Sequence, residues 1–233
     1  MAVRVRGAAG VRQGAAGLSA RASRCLLLAL CALAGCRRPT LEPRAELGGA
    51  WLREPELAQG FELRGDGTLG LLGLPAQSGL AWNATHGELV LSTNAERHFE
   101  SSVAHLRIAA LEGDRLELAG EGEPFAGAYR RAQATHVRGV LTYRERMALE
   151  PDARVVVELT QIGVGPVALQ AFLARGQVPI GFDLSLTAGA AAGSEYELRA
   201  RIGDRERTLF ATAEPVRVIP GGDAVEVLLR SAR

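Results

Sequence analysis

The residues in this sequence that can carry chemistry are few, since the chain has three cysteines and four histidines. The histidines have no cysteine or acidic residue at metal-ligand spacing; they are His86, His98, His105 and His136. Such scattered histidines usually face solvent or cap a turn. There is no Gly-x-Ser-x-Gly nucleophile motif, and Gly163-Val164-Gly165 is not followed by the helix that a phosphate-binding loop needs. The sequence therefore predicts a protein without a catalytic site, a metal or a cofactor.

The N-terminal stretch, residues 1–35, is typical of a secretory signal peptide. Its five arginines, with no acidic residue, precede an apolar run over residues 25–35 that is too short to span a bilayer. The run ends in Leu33, Ala34 and Gly35 before Cys36, an order that resembles the lipobox recognised by signal peptidase II. The resemblance implies cleavage after Gly35, attachment of a diacylglyceryl group to the Cys36 sulfur, and N-acylation. The alternative is an ordinary signal peptide with a cysteine at this place by chance.

Lipid on Cys36 would tie the mature chain to a membrane, because several acyl chains at about 0.8 kcal/mol per buried CH₂ make an anchor effectively permanent. Arg37 follows, where aspartate would favour retention in the inner membrane of enterobacteria. By resemblance to that sorting rule, the protein is expected on the inner leaflet of the outer membrane, facing the periplasm. Residues 36–47 are charged and contain two prolines, so we interpret them as a lipidated tether.

The charge of the mature chain argues against nucleic acid as a partner. Removing the five arginines of residues 1–35 leaves 22 basic and 26 acidic residues, a net charge of −4. A mildly acidic protein lacks the basic surface with which proteins bind nucleic acid. Cys25 and Cys31 would leave with the signal peptide, so an intramolecular disulfide is not expected. The fold must then be stabilised by its apolar core alone.

Residues 48–132 are predicted to form a small antiparallel β-barrel. Short apolar alternations are separated by glycine-marked turns, and no long helical pattern interrupts them. The clearest hairpin turn is Gly65-Asp66-Gly67, because glycine adopts the positive φ that tight turns need. Further strands are expected over residues 88–92, 103–111 and 115–118.

This part of the sequence resembles the small lipocalin-like domains of bacterial lipoproteins. The matching features are Gly49-Ala50-Trp51, residues 60–63 leading into Asp66-Gly67-Thr68, Trp82 followed by Leu89-Val90-Leu91, and a closing Tyr129-Arg130. The resemblance implies an eight-stranded barrel, which can hold one small ligand. Trp51 and Trp82 are then either core residues, the commoner role, or part of a ligand site.

Residues 135–233 are predicted to form an antiparallel β-sandwich. In residues 177–186 every second side chain is apolar, which is typical of a strand with one buried and one solvated face. The same period recurs over residues 155–159, 196–202 and 225–229. One segment, residues 166–175, begins with proline and is followed by glycine, so a helix is predicted there.

This second part resembles the family of YbaY-type lipoproteins, which includes the YscW-like pilotins of type III secretion. The resemblance lies in Val137-Arg138-Gly139 and in residues 143–149, 151–153, 177–184 and 196–202. Glu150 departs from the pattern, since the family usually has a second proline in this turn. The family implies a β-sandwich and, for its pilotin members, binding to a secretin of the outer membrane.

Arg144, Glu145 and Arg146 form a charged cluster that we interpret as a solvated turn, or alternatively as a partner contact at one end of the sandwich. The sequence leaves three functional hypotheses, of which the third is an envelope enzyme, for which no catalytic motif is present. The first is a non-enzymatic envelope lipoprotein that acts by protein contact, with a secretin as the candidate partner. The second is capture of a small hydrophobic ligand by the barrel. A pilotin would need an exposed apolar groove, on an edge strand or beside residues 166–175.

Overall fold

A computed structural model describes residues 43–95, 99, 101–191, 194–204 and 207–232. The predicted signal peptide and residues 36–42 of the predicted tether lie outside this range. Within it nearly all of the regular secondary structure is β-strand, and the described residues include two short helices, α1 (Pro43–Leu47) and α2 (Ala188–Ala191). The predicted all-β fold, a barrel followed by a sandwich, is confirmed.

The N-terminal half forms one antiparallel sheet of eight strands in the spatial order β3-β2-β1-β8-β7-β6-β5-β4. In chain order they are β1 (Gly49–Arg53), β2 (Gly60–Leu63), β3 (Leu69–Leu72), β4 (Gln77–Thr85), β5 (Glu88–Ala95), β6 (Ser101–Glu112), β7 (Arg115–Ala119) and β8 (Gly127–Ala132). The sheet curls until its edge strands meet. Thr68 and Ala81 form a β-bridge there, and the Trp82 N–H donates to the Gly67 carbonyl over 2.9 Å.

The predicted Gly65-Asp66-Gly67 hairpin turn joins β2 to β3. One carboxylate oxygen of Asp66 accepts hydrogen bonds from the Thr68 hydroxyl, over 2.7 Å, and from the Thr68 N–H, over 2.8 Å. These bonds favour the charged carboxylate and so lower the pKa of Asp66. Gly67 has a φ of 86°, which is the positive φ that the turn requires of a glycine.

The inside of this sheet is filled by aromatic and aliphatic side chains. Trp51 and Phe61 are fully buried, and the rings of Phe61 and Tyr129 lie 4.8 Å apart. Leu47 of α1 is buried in the same core, and its carbonyl accepts a 2.7 Å hydrogen bond from Trp51 Nε1. The last residues of the predicted tether are therefore helical and contribute to the barrel core.

The C-terminal half forms two sheets, one in the order β11-β10-β13-β14-β17, with β15 also paired to β13, and one in the order β12-β9-β16. The strands are β9 (Ala134–Thr142), β10 (Arg154–Gln161), β11 (Gly165–Leu173), β12 (Ile180–Thr187), β13 (Tyr196–Gly203), β14 (Thr208–Ala211), β15 (Val216–Val218), β16 (Val225–Leu228) and β17 (Arg230–Ser231). β16 runs parallel to β9, against the antiparallel expectation. The loop before β16 runs beside the start of β9, where the Gly221 N–H donates to the His136 carbonyl over 2.8 Å, and β16 then pairs with residues 139–142 at the end of β9.

The alternation predicted around β12 is present in the structure. Ile180, Phe182, Leu184 and Leu186 are buried in the core between the two sheets. Ser185 points away from that core, yet it is also buried, with 3% of its surface exposed. The second face of β12 is therefore covered at Ser185, where the side chains of Glu62 and Arg64 from the N-terminal half contact it.

The helix predicted over residues 166–175 is wrong, because this segment forms strand β11. It pairs with β10 in antiparallel register, with Val157 opposite Gln170. Pro166 fits here because β11 is an edge strand, where a missing N–H is tolerated. One face of β11 buries Leu169 and Ala171 in a small apolar cluster. The burial of these side chains outweighs the local preference of the segment for a helix.

The chain passes from the eight-stranded sheet to the three-stranded sheet at Gln133, since β8 ends at Ala132 and β9 begins at Ala134. Both halves belong to one compact unit, Leu41–Arg233. We call β1–β8 the barrel and β9–β17 the sandwich. The domain boundaries 48–132 and 135–233 stay a prediction.

Candidate functional site

A cleft of about 1000 Å³ opens between the barrel and the sandwich. We call it the barrel–sandwich cleft. Its barrel wall consists of Arg64, Asp66, Thr68, Leu69 and residues 79–81. Its sandwich wall consists of residues 138–140 of β9, 181–183 of β12 and 224–226 around the start of β16, together with Gln170, Phe172, Leu173 and Arg175. The cleft thus combines an apolar lining with charged groups from both halves.

Five polar side chains beside the cleft join the two halves, and we call them the polar cluster: Glu62, Arg64, His136, Asp183 and Ser185. The Ser185 hydroxyl donates to Glu62 Oε2 over 2.7 Å and accepts from Arg64 Nη2 over 2.6 Å. The Arg64 guanidinium also donates to Glu62 Oε2 over 3.0 Å and lies 3.3 Å from Asp183 Oδ1. Glu62 and Arg64 come from the barrel, and the other three come from the sandwich.

His136 lies between the two carboxylates of the cluster. Its Nδ1 is 2.8 Å from Asp183 Oδ1, and its Nε2 is 3.3 Å from Glu62 Oε1. The side chains of Glu62, Arg64 and His136 are only 13%, 16% and 18% exposed. Charged groups withdrawn from water in this way interact more strongly than surface ion pairs. The polar cluster therefore couples the barrel to the sandwich.

A serine, a histidine and a carboxylate also make up the catalytic triad of many hydrolases, but here the hydrogen bonds connect these groups in a different order. Ser185 donates to Glu62, and the structure shows no hydrogen bond between Ser185 and His136. In a triad the hydroxyl instead bonds the histidine, which takes its proton. In the part of the chain that the structure describes, no group of three His, Cys, Asp or Glu side chains is arranged to hold a metal.

A second set of contacts fixes β11 to the barrel. The Ala171 N–H donates to the Ser78 hydroxyl over 2.9 Å, and the Ala171 carbonyl accepts from Asn94 Nδ2 over 2.9 Å. Ser78 and Asn94 are both buried barrel residues. Their side chains make the two hydrogen bonds to Ala171 that the backbone of a neighbouring strand would otherwise make. The edge of the β11 sheet is therefore covered by the barrel at Ala171.

The polar cluster is not predicted from the sequence, whose scattered histidines predict a solvated or cap-forming His136. The signal was present in part, since the alternation of residues 177–186 placed Asp183 and Ser185 on one face of a strand. In the structure Asp183 pairs with Arg138 and Ser185 with His136 across β12 and β9. Nothing local to the sequence indicated that Glu62 and Arg64 would cover that face.

Two further histidines are described, and neither lines the cleft. His86 lies in the turn between β4 and β5 with a φ of 52°. His105 is exposed and bonds Glu88 over 2.9 Å. His98 lies outside the described residues.

Trp51 and Trp82, the candidate ligand or core residues, are both buried in the barrel core. Each indole N–H donates to a backbone carbonyl, that of Leu47 for Trp51 and that of Arg64 for Trp82. The Arg131 guanidinium lies 4.2 Å from the centre of the Trp51 ring. Both indoles therefore have the contacts expected of packed core residues.

Arg144, Glu145 and Arg146 are exposed and follow β9. The Glu145 carboxylate accepts hydrogen bonds from the Arg144 N–H, over 3.1 Å, and from the Ser231 N–H, over 3.2 Å. Arg144 lines a second, smaller depression of about 410 Å³, together with Thr142, Tyr143, Glu226 and Leu228. We call it the β16 depression.

Tyr143 forms the inner wall of the β16 depression. Its ring stacks on Phe210 with the ring centres 4.1 Å apart, and its hydroxyl donates to the Met147 carbonyl over 2.8 Å. Burial, and to a smaller extent the Glu145 carboxylate, raise the pKa of Tyr143. The turn that contains Arg144, Glu145 and Arg146 is thus fixed to the sandwich by the bonds to Tyr143 on one side and to Ser231 on the other.

The residues of the predicted lipobox, Leu33, Ala34, Gly35 and Cys36, and the sorting residue Arg37 lie outside the described residues. In the part of the chain that the structure covers, no helix has both the length and the apolar character needed to cross a membrane.

Comparison with known proteins identifies similarity in the sandwich. Residues 132–229 match the model of a family described as type III secretion system lipoprotein chaperone (YscW). Among solved structures, the chain is similar to an alternative pilotin from the type II secretion system of Vibrio cholerae, with 28% identity over 43% of this chain and 99% of that chain and a TM-score of 0.40. No curated protein matches the chain. The likeness of the barrel to lipocalin-like domains and of the sandwich to YbaY-type proteins stays a prediction. The range 132–229, which includes β9 to β16, is thus similar to the lipoprotein chaperones of type III secretion.

Proposed function

We propose that this protein is a lipidated, non-enzymatic chaperone of the bacterial outer membrane that acts on a secretin, or on a similar envelope component, by direct contact. The observation that carries the proposal is the match of residues 132–229 to the family of type III secretion lipoprotein chaperones. That range contains His136, Asp183 and Ser185 of the polar cluster, whereas Glu62 and Arg64 lie outside it. In this protein the matched sandwich would therefore work together with the barrel.

The proposed anchor is lipid on Cys36. Its support is the order Leu33-Ala34-Gly35-Cys36 after an apolar run, together with Arg37 in the position that favours the outer membrane. Residues 37–42 would then link the lipid to α1, whose Leu47 is buried in the barrel. This short link would hold the barrel close to the inner leaflet, facing the periplasm.

The proposed contact surface is the barrel–sandwich cleft and the β16 depression beside it. The cleft lies next to Phe172, Leu173 and Arg175 and reaches edge strand β16. An apolar groove beside an edge strand is a common way to bind a peptide segment. A small-ligand role for the barrel would need space around Trp51 and Trp82, and the burial of both in its core favours protein contact instead.

The experiment is crosslinking and affinity purification from intact envelopes that contain the full chain. We expect a secretin or another envelope assembly protein to be enriched with the wild type. The Cys36→Ala variant should lose this enrichment and its label from radioactive palmitate. Cys31→Ala, which changes a cysteine inside the apolar run, is the matched control and should keep both.

Two outcomes would contradict the proposal. Equal palmitate label on Cys36→Ala and wild type would exclude the anchor. A clean purification without any envelope protein, from which native mass spectrometry detects a small hydrophobic molecule bound to the chain, would favour ligand binding by the barrel.

A further inference from the structure

The outer edge of β16 has no strand beside it in the part of the chain that the structure describes. β16 is the last strand of its sheet and pairs with β9 alone. Just beyond it, the Leu229 N–H donates to the Thr142 carbonyl over 2.8 Å. Because hydrogen-bond direction alternates along a strand, Val225 and Val227 turn their N–H groups to β9, and Glu226 and Leu228 turn theirs outward. These outward groups can pair with another strand.

Two depressions border this edge. The barrel–sandwich cleft reaches Val225 and Glu226, and the β16 depression continues along Glu226 and Leu228. Apolar side chains are accessible at both places, since Leu173 is 49% exposed and Leu228 is 40% exposed. An added strand would therefore find backbone partners and apolar contacts along the whole of β16.

An arginine is available in each depression. Arg175 lines the cleft and Arg144 lines the β16 depression, and both are exposed. Among the described residues, no carboxylate lies within salt-bridge distance of either guanidinium. Arg138 differs, because its Nε donates to Asp183 Oδ2 over 3.0 Å. The positive charges that a ligand can still neutralise are thus those of Arg144 and Arg175, whereas the Glu226 carboxylate, which lines both depressions and accepts a 3.1 Å hydrogen bond from the Thr142 hydroxyl, would repel an acidic residue beside it.

We propose that an extended segment of a partner protein adds as a strand to the outer edge of β16. The segment carries alternating apolar side chains and has acidic residues near both ends, beside Arg144 and Arg175. The four residues of β16 offer an edge of about 13 Å. Main-chain hydrogen bonds give such a complex its affinity, and the side chains that enter the two depressions give it specificity. This proposal rests on the proposed function, because the segment would belong to the protein that the chain escorts.

The binding test selects octapeptides from a random displayed library on the full chain and measures them by fluorescence anisotropy. We expect the selected peptides to alternate apolar residues and to carry Asp or Glu near both ends. Glu226→Ala, which loses the acidic side chain and its 3.1 Å bond from the Thr142 hydroxyl of β9 but keeps the outward N–H, is the reference variant. Compared with this reference, Glu226→Pro also removes the outward N–H without removing a main-chain bond to β9, and proline is tolerated on an edge strand. It should weaken binding by about tenfold or more. A library that yields no binding peptide, or selected peptides that bind Glu226→Pro as well as the wild type, would overturn the proposal.

N-methylated peptides test strand addition without altering the protein. Two versions of one selected peptide are made. One is methylated at the backbone nitrogens of the odd-numbered residues, which face one edge of the strand, and the other at those of the even-numbered residues, which face the other edge. We expect only one version to lose affinity, because only one edge of an added strand faces β16. Equal affinities of the two versions would exclude strand addition.

The charge contribution is tested with a matched pair of arginines. Arg144→Ala should weaken binding by roughly threefold to tenfold at low salt, with a smaller effect at high salt, because salt screens exposed charges. Arg146→Ala is the control, since Arg146 is also exposed but lines neither depression. Equal affinities of the two variants would contradict a role for Arg144.

The envelope experiment separates this proposal from the proposed function. If the amount of secretin in the outer membrane is the same with and without the whole chain, the proposed function is wrong. If the secretin needs the chain but assembles equally well with Glu226→Pro, the function stands and the β16 edge is not the binding site. Loss of assembly with Glu226→Pro, at an unchanged Tm, is the result that we expect.

Discussion

The Ser185 hydroxyl on β12 donates a hydrogen bond of 2.7 Å to the Glu62 carboxylate on β2. These two residues are 123 positions apart in the chain, and one belongs to the sandwich and the other to the barrel. Arg64 donates to the same hydroxyl over 2.6 Å. Both charged barrel residues, Glu62 and Arg64, therefore form hydrogen bonds to the sandwich at Ser185.

Ser185→Ala should lower the free energy of unfolding by about 1–3 kcal/mol, because it leaves partly buried donors and acceptors of Arg64 and Glu62 without one partner. Urea unfolding, followed by circular dichroism, measures the change. Ser101→Ala is the control, since Ser101 is exposed at the start of β6. If both variants have the wild-type stability, the polar cluster does not stabilise the junction.

Gly70→Ala should destabilise the protein by about 1–3 kcal/mol, because a Cβ at this position would collide with the Ser185 hydroxyl oxygen. The double variant Gly70→Ala with Ser185→Ala removes the atom that is struck. The loss of unfolding free energy in the double variant should therefore be smaller than the sum of the losses in the two single variants, by about 1 kcal/mol. Gly65→Ala, with open space around its Cβ, is the control. Strictly additive costs would show that the two residues do not meet.

Gly139→Ala should also destabilise the protein by about 1–3 kcal/mol, because its Cβ would strike the Val225 carbonyl and the Phe182 ring. These contacts arise because β9 lies between β12 and β16. Gly181→Ala, on neighbouring β12 with open space at its Cβ, should change stability by less than about 0.5 kcal/mol. Thermal unfolding compares the two variants, and equal Tm values would contradict this packing.

The stability of the protein should fall between about pH 10 and 12 through Tyr129. Burial raises its pKa from 10.0 to about 12, and its hydroxyl donates to the Phe125 carbonyl over 2.9 Å. The folded state thus holds this proton more tightly than the unfolded state. Its contribution, of about 2–3 kcal/mol, is fully present below pH 10 and is lost as the pH rises through 12.

Tyr129→Phe provides the test of that alkaline loss. The sequence contains no lysine, so tyrosines dominate the titration of side chains between pH 9 and 12. The variant should start less stable at pH 8, because it lacks the bond to Phe125, and should lose less stability up to pH 12. Urea unfolding at several pH values measures both slopes. Parallel slopes of variant and wild type would contradict the assignment to Tyr129.

Much of the fold could be predicted because its signals are local. The alternation around Ile180, Phe182 and Leu184 appears in the sequence, and these side chains are buried in the sandwich core. Gly65-Asp66-Gly67 predicted a hairpin turn from its own conformational freedom, and the turn joins β2 to β3. Such patterns identify strands and turns, since they depend on neighbouring residues alone.

The segment over residues 166–175 shows where local signals fail. Proline before it and glycine after it are compatible with a helix and also with an edge strand. The choice of strand β11 follows from pairing with β10 and from the bonds that Ser78 and Asn94 make to Ala171. Those barrel residues are distant in sequence, and no local pattern connects them to β11.

The sequence by itself determined the all-β class and the order of barrel and sandwich, because periodicity and turn residues are short-range features. It also predicts a lipid anchor at Cys36, again from a short-range feature, and that anchor stays a prediction. The tertiary structure decided how the two halves meet. Glu62 and Arg64 reach His136, Asp183 and Ser185 only when strand register and the face of β12 are set together. Sites of this kind depend on contacts between distant residues, and a sequence shows their chemical groups without showing that they come together.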